Sequence, residues 1–129
     1  MKRTFINIAL LIGLALAVAS CRVKPVYNVD EATLPIAAGH SLEEISQAIK
    51  LAGSGLGWEV KEKSSGHNVG TLHLREHKAV VDITYTTEDF SIKYKNSVNL
   101  KYDGTKIHQN YNGWIQNLER AIIARTSAL

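Results

Sequence analysis

The chain has 129 residues, with 15 Lys and Arg against 12 Asp and Glu and one cysteine. This length fits one domain that buries its own core, and a single cysteine excludes a disulfide within the chain. The basic excess is too small to indicate a nucleic-acid-binding protein, so no nucleic acid is expected as a partner.

Residues 1–20 have the layout of a secretory leader. Lys2 and Arg3 precede an apolar run at residues 5–17, and the small residues Val-Ala-Ser at 18–20 stand directly before Cys21. The run is short for a membrane-spanning helix, which needs about 20 apolar residues. The segment resembles the signal of bacterial lipoproteins, and this resemblance implies cleavage before Cys21 and acyl chains on its sulfur.

Acylation of Cys21 would make the membrane itself a partner, because two or three acyl chains attach a protein almost permanently. Arg22 follows the cysteine in place of Asp. By the sorting rule of enteric lipoproteins, this implies the outer membrane, with the protein facing the periplasm. Without Lys2 and Arg3, 13 basic residues stand against 12 acidic ones. The alternative is an ordinary cleaved signal peptide that leaves a free thiol.

A lipidated tether is predicted over residues 21–39, because this stretch holds both prolines, Pro25 and Pro35, and has no helical period. Fully extended at about 3.3 Å per residue, it would reach roughly 60 Å. The alternative is a short edge strand at residues 26–29. The folded domain is predicted to cover residues 40–129.

A helix is predicted over residues 42–52. Ser41 and Glu44 form a capping box, and apolar residues follow at helical spacing. Glycines at positions 53, 55 and 57 are expected to end the helix in a turn. They follow a helix instead of leading from a strand into one, which argues against a phosphate-binding loop.

After Gly57 the apolar period changes to two, which predicts four strands. The inward-facing positions are Trp58, Val60, Leu72, Leu74, Val81, Ile83, Tyr85, Phe90, Ile92 and Tyr94. The connections are too short for parallel crossovers, so the strands form an antiparallel meander. We expect the two tight hairpins to pair Glu76 with Ala79 and Thr86 with Asp89.

A second helix follows the Asp103-Gly104 turn. Its apolar stripe consists of Tyr111, Trp114, Ile115, Leu118 and Ile122, which lie on one helical face. The predicted fold is α+β, a four-stranded antiparallel meander with two helices on one face, in the order α-β-β-β-β-α.

The expected hairpins place His73 opposite Asp82 and Asp82 opposite Lys93 on the open face of the sheet. A histidine beside a carboxylate can act as a general base. The favoured interpretation is a set of solvated cross-strand pairs. His67, His73 and His77 raise the question of a metal. The sequence places His67 in a turn, His73 in mid-strand and His77 at the next hairpin, so neither a metal nor a cofactor is expected.

A second candidate site lies at the start of the second helix. His108, Asn110, Asn112 and Trp114 combine an imidazole, two amides and an indole, which suits recognition of a sugar or peptide. The favoured alternative is structural. In that case Trp114 packs in the core while His108 and one asparagine satisfy free backbone groups at the helix start.

Four sequence blocks carry a further resemblance, GW at 57–58, TLHLREH at 71–77, SVNLKY at 97–102 and IHQNYNGWI at 107–115. Together they are similar to a group of small proteobacterial lipoproteins of unassigned function, so no functional residue is carried over. The sequence has no G-x-S-x-G motif and no phosphate loop, and we do not expect an enzyme.

The predicted function is therefore a lipid-anchored interaction or envelope-maintenance module with a protein partner in the envelope. The alternatives are a binder of cell-wall fragments or a metal through His73, His108 and Asn112, and, third, a small hydrolase.

Overall fold

The computed structural model describes residues 22–129, and the predicted leader and Cys21 lie outside them. The elements in chain order are β1 (Val23–Pro25), β2 (Val29–Thr33), α1 (Leu42–Ser54), β3 (Trp58–Ser64), β4 (His67–Leu74), β5 (His77–Tyr85), β6 (Asp89–Val98), β7 (Lys106–His108) and α2 (Gln109–Thr126). Five strands form an antiparallel sheet in the order β2-β6-β5-β4-β3, and β1 pairs with β7 separately. The α+β class is confirmed, with five strands in the main sheet where four were expected.

Helix α1 begins where its capping box predicts. The Ser41 side chain accepts a hydrogen bond from the Glu44 backbone N–H at 3.2 Å, which satisfies one free donor of the first turn. The helix ends at Ser54, two residues beyond the predicted end. Gly53 lies inside it and packs against β3. A Cβ at Gly53 would approach Val60 Cγ2 to 2.5 Å, so this glycine permits close helix–sheet packing.

Both helices cover one face of the sheet, as the apolar stripes predict. The largest fully buried side chains are Tyr111, Phe90, Ile45, Ile49, Ile83, Ile92, Leu100, Ile107, Ile115, Leu118, Ile122 and Val81. Burying one side chain of this size contributes about 1.5–3 kcal/mol of transfer free energy. The opposite sheet face has no covering layer in the described chain, and its side chains are half-buried or exposed.

The β5–β6 hairpin has the predicted register from its turn, where the Thr86 backbone N–H donates to the Asp89 carbonyl at 2.9 Å, as far as Val81 opposite Tyr94. The register then shifts by one residue, so that Val80 pairs with Asn96. The predicted β4–β5 register was wrong. Leu74 pairs with His77, in place of Glu76 with Ala79. Arg75 closes this tighter turn with a positive φ of 55°, and the sequence there carries no glycine or asparagine to mark it. The shift is even, so each residue keeps its predicted face.

The N-terminal segment differs from the predicted tether, because strands β1 and β2 dock it onto the domain. Val29 pairs with Ile92 on β6 and is 3% exposed. The register slips after Val29, where Glu31 has a φ of 48° and its backbone N–H donates to the Ser91 hydroxyl at 2.9 Å. The alternative prediction, a short edge strand at residues 26–29, agrees with the presence of the edge strand β2. This strand begins at Val29, and residues 26–28 connect β1 to β2.

Candidate functional site

Asp82 is the centre of a polar cluster on the open sheet face. Its Oδ1 atom lies 2.7 Å from His67 Nε2 and 3.4 Å from Lys95 Nζ. Burial acts to raise the pKa of Asp82, but the hydrogen bonds from His67 and Lys95 outweigh it and lower the pKa below its ordinary value. In the described chain no hydroxyl is hydrogen-bonded to His67, so the cluster lacks the arrangement of a base-activated nucleophile.

The predicted row of His73, Asp82 and Lys93 is not assembled. The shifted β4–β5 register places His73 opposite Lys78, so its predicted contact with Asp82 was wrong. Lys93 does lie opposite Asp82, as predicted, but its ammonium group contacts Asp30 on β2. His67, which the sequence placed in a turn, takes the role predicted for His73 through diagonal contact across two strands.

The three histidines considered as metal ligands lie apart. His67 and His73 are six residues apart on β4, about 20 Å along a strand. His77 Nδ1 lies 2.8 Å from the Asn99 carbonyl oxygen. No group of three or more His, Cys, Asp or Glu side chains suited to a metal occurs among residues 22–129.

Asn112 holds the N-terminal segment with both ends of its amide. Its Nδ2 donates to the Pro25 carbonyl and its Oδ1 accepts from the Tyr27 backbone N–H, each at 2.9 Å. The Tyr27 hydroxyl donates to Glu119 at 2.7 Å. This hydrogen bond, together with burial, raises the pKa of Tyr27. Asn112 therefore binds backbone groups of the N-terminal segment, and not the groups at the helix start that the structural interpretation assigned to an asparagine.

The other predicted residues at this helix start are also divided. His108 caps α2, its Nδ1 accepting from the Asn110 backbone N–H at 3.1 Å. The Asn110 side chain is exposed, and Trp114 is half-buried with its ring centroid 6.4 Å from that of His77. His108 Nδ1 and both ends of the Asn112 amide are thus engaged with the main chain.

The exposed large apolar side chains fall into two sets. Leu51, Leu56 and Leu129 are 53%, 42% and 41% exposed and lie along the outer seam between α1 and α2. The second set, Leu74, Val98 and Tyr102, is 45%, 52% and 41% exposed and lies elsewhere. Such clustering indicates interaction surfaces more strongly than scattered apolar residues do.

The first set belongs to what we call the helix groove. Beside the C-terminal end of α2 the groove has a volume of about 380 Å³ and is lined by Glu43, Glu44, Gln47, Ala48, Leu51, Arg125, Ala128 and Leu129. The groove continues along the seam past Ala52, Gly55, Leu56, Ala121 and Ala124. Five of the lining residues are alanines, and three are leucines. Sequence reasoning identified only the core stripes of the two helices and missed this surface.

Helix α2 begins at the residue that binds Arg22 and ends beside the groove. The Gln109 backbone N–H, at the first residue of α2, donates to the Arg22 carbonyl at 2.8 Å. Arg125, near the other end of α2, lines the groove. A helix of this length spans about 27 Å, so this part of the groove lies at the opposite end of α2 from Arg22.

Comparison of the chain with protein-family models, with curated proteins and with solved structures gave no match. Within residues 22–129, no helix has both the length and the apolar character needed to cross a membrane.

Proposed function

We propose that this protein is a lipid-anchored module on the periplasmic side of the outer membrane that binds an envelope protein and catalyses no reaction. The anchor is supported by the leader and the position of Cys21, the sole cysteine. The proposed similarity to small proteobacterial lipoproteins agrees with this location. The helix groove is the observation that supports the binding function.

The chemistry of the groove favours an apolar segment of a partner protein. Leu51 and Leu129 leave about half of their surface to solvent, which costs free energy that a covering partner would recover at about 25 cal/mol per Å² buried. Glu43 and Glu44 stand at one side and Arg125 at the other. An amphipathic helix with leucine-sized anchors and a polar outer face fits such a groove.

The absence of catalysis is supported by how the candidate residues are used. The Oδ1 atom of Asp82 is bonded by His67 and Lys95, and in the described chain no hydroxyl is hydrogen-bonded to His67. The small-ligand alternative loses support because Asn112 and His108 are bonded to backbone groups.

Site-specific photocrosslinking in intact cells tests the proposal. A photoreactive residue at Leu51 should give one discrete protein adduct, whereas the same residue at Lys63, exposed on the edge strand β3, should give none. Leu129→Glu should abolish the Leu51 adduct, because it places a charge in the groove without touching the core. Equal adducts from both positions, or none from Leu51, would contradict partner binding at the groove.

Mass spectrometry of Cys21 in the protein purified from membranes tests the anchor separately. We expect cleavage before Cys21 and a mass increase equal to two or three acyl chains. An unmodified cysteine, or a chain that retains its leader, would refute the anchored location.

A further inference from the structure

The second set of exposed apolar residues lies at the end of the domain nearest to Cys21. The Arg22 carbonyl is bonded to the first residue of α2, and the His108 backbone N–H donates to the Leu100 carbonyl at 2.8 Å. His77 Nδ1 is bonded to the Asn99 carbonyl oxygen, and His77 pairs with Leu74. The segment before β1, the loop after β6 and the β4–β5 turn therefore form one continuous surface, here called the anchor end.

The anchor end presents three apolar side chains that the core does not use. Leu74 precedes the β4–β5 turn, and Val98 is the last residue of β6. Tyr102 stacks on Tyr94 with ring centroids 4.0 Å apart and still leaves 41% of its surface exposed. A tyrosine with one apolar and one wet side is typical of residues at a membrane–water interface.

Four basic residues belong to the same segments as these apolar residues. They are Arg22 before β1, Arg75 in the β4–β5 turn, Lys78 opposite Val98 on β5, and Lys101 in the loop after β6. Within residues 22–129, none of the four belongs to an ion pair. The neighbouring acids are Glu76 and Asp103, and the Asp103 carboxylate accepts the backbone N–H groups of Lys106 and Thr105 at 2.7 and 2.9 Å. Four basic side chains against these two acids leave the anchor end with a net side-chain charge of +2.

Two of these basic residues occupy strained backbone positions. Arg75 and Lys101 both have a φ of 55°, in the left-handed region where glycine has no steric cost. A side chain there costs about 1–2 kcal/mol. Strain of this kind occurs at functional positions. Asn99 at the anchor end shares it, with a φ of 60°, and the other two of these three residues add positive charge to the surface.

We infer that the anchor end rests on a phospholipid surface, with Leu74, Val98 and Tyr102 among the headgroups and the basic residues against anionic phosphates. The inference deepens the proposed function, since acylated Cys21 would lie one Cα spacing, about 3.8 Å, from Arg22. The occupant is the bilayer that holds the acyl chains. Apolar and basic side chains at the same end of the domain match the two components of an anionic membrane surface.

Vesicle binding by an unacylated chain tests this surface without the anchor. A chain beginning at Arg22 contains every buried core residue, from Val29 to Ile122. It should sediment with vesicles of phosphatidylethanolamine and phosphatidylglycerol and much less with phosphatidylcholine alone. The double variant Arg75→Gln/Lys101→Gln should weaken binding about 25-fold, because each basic residue near an anionic surface contributes a factor of about five.

A matched control removes the same charge elsewhere. Lys61→Gln/Lys63→Gln on the edge strand β3 should leave vesicle binding unchanged, because β3 lies across the sheet from the strand β6 that leads into the anchor end. Equal loss in both double variants would reduce the effect to net charge and overturn the inference. Equal binding to both kinds of vesicle would overturn it as well.

An environment-sensitive probe then reports insertion. The chain from Arg22 has no cysteine, so Val98→Cys and Thr87→Cys give single labelling sites at opposite ends of the sheet. Vesicles should shift the emission of the probe at position 98 to the blue and leave that at position 87 unchanged. A probe at position 98 that stays fully hydrated would refute the inference.

The two proposals fail in different ways. If Cys21 is acylated and the probe at position 98 stays hydrated, the anchored module stands and the lipid-facing surface does not. If the chain from Arg22 binds anionic vesicles while Cys21 of the cellular protein is unmodified, the surface stands and the anchor is refuted.

Discussion

Asn112→Ala should destabilise the domain substantially, because one amide holds the N-terminal segment to α2. The substitution removes the acceptor of the Tyr27 N–H and the donor to the Pro25 carbonyl. Each bond contributes about 1 kcal/mol net, so the expected loss is about 2 kcal/mol in the free energy of unfolding. For a domain of this size that corresponds to a fall of about 8 °C in melting temperature.

Thermal unfolding followed by circular dichroism measures this loss, and Asn110→Ala is the matched control. Asn110 lies two residues earlier on the same helix, and its exposed side chain makes no hydrogen bond in the described chain. Its variant should melt within about 1 °C of the parent, since surface changes of this kind stay within about 0.5 kcal/mol. Amide exchange at Tyr27 should accelerate in Asn112→Ala alone. Equal melting of the two variants would refute the role of Asn112 in holding the N-terminal segment and favour a ligand-binding role for Asn112.

Three other substitutions test separate contacts. Asp82→Asn should cost about 1 kcal/mol at neutral pH. The folded state lowers the pKa of Asp82. The difference in free energy of unfolding between parent and variant should therefore be full above the ordinary pKa of about 3.9 and disappear as the pH falls through the lowered value. Urea unfolding at a series of pH values measures this difference, and a difference independent of pH would contradict the ion pair. Gly53→Ala should cost about 1–3 kcal/mol through its clash with Val60, whereas Gly55→Ala, at a φ of −62° with its nearest contact at 3.6 Å, should stabilise by about 0.5 kcal/mol; the reverse order in chemical denaturation would refute this packing. Tyr111→Phe should leave the free energy of unfolding unchanged or raise it by about 1 kcal/mol, because the Tyr111 hydroxyl is buried without a partner among the described residues; a clear loss would reveal a hydrogen bond to this group.

The sequence predicted those parts of the fold that depend on neighbouring residues. The Ser41 capping box, the two helical stripes and the Thr86–Asp89 turn each involve residues a few positions apart, and the structure confirms them. The docking of the N-terminal segment depends on contacts 85 and 92 residues apart in the chain. Its short strands carry no period strong enough to signal such a partner, and the prolines suggested a linker.

The candidate sites were predicted less well for related reasons. The Asp82 cluster requires the exact β4–β5 register, and the Arg75-Glu76 turn lacks the residues by which tight turns are recognised. The helix groove requires two helices side by side. Leu51 lies off the core stripe of its own helix, and only the packing of α2 beside α1 turns that exposed leucine into part of a surface.

Docking of the N-terminal segment would keep the basic residues of the anchor end close to the membrane that holds an acylated Cys21. Released from β6 and β7, residues 22–33 would extend to about 40 Å at 3.3 Å per residue, whereas electrostatic attraction to a membrane fades within a Debye length of about 8 Å at physiological ionic strength. A domain on such a tether would stand beyond the field of the lipid headgroups. With Arg22 bonded to α2 and Asn112 holding Pro25 and Tyr27, an acyl anchor at Cys21 would keep Arg75 and Lys101 within that field. In the anchored protein, lipid contact by the basic surface therefore depends on the Asn112 contacts with the N-terminal segment. Loss of these contacts should weaken lipid contact even where every basic residue remains.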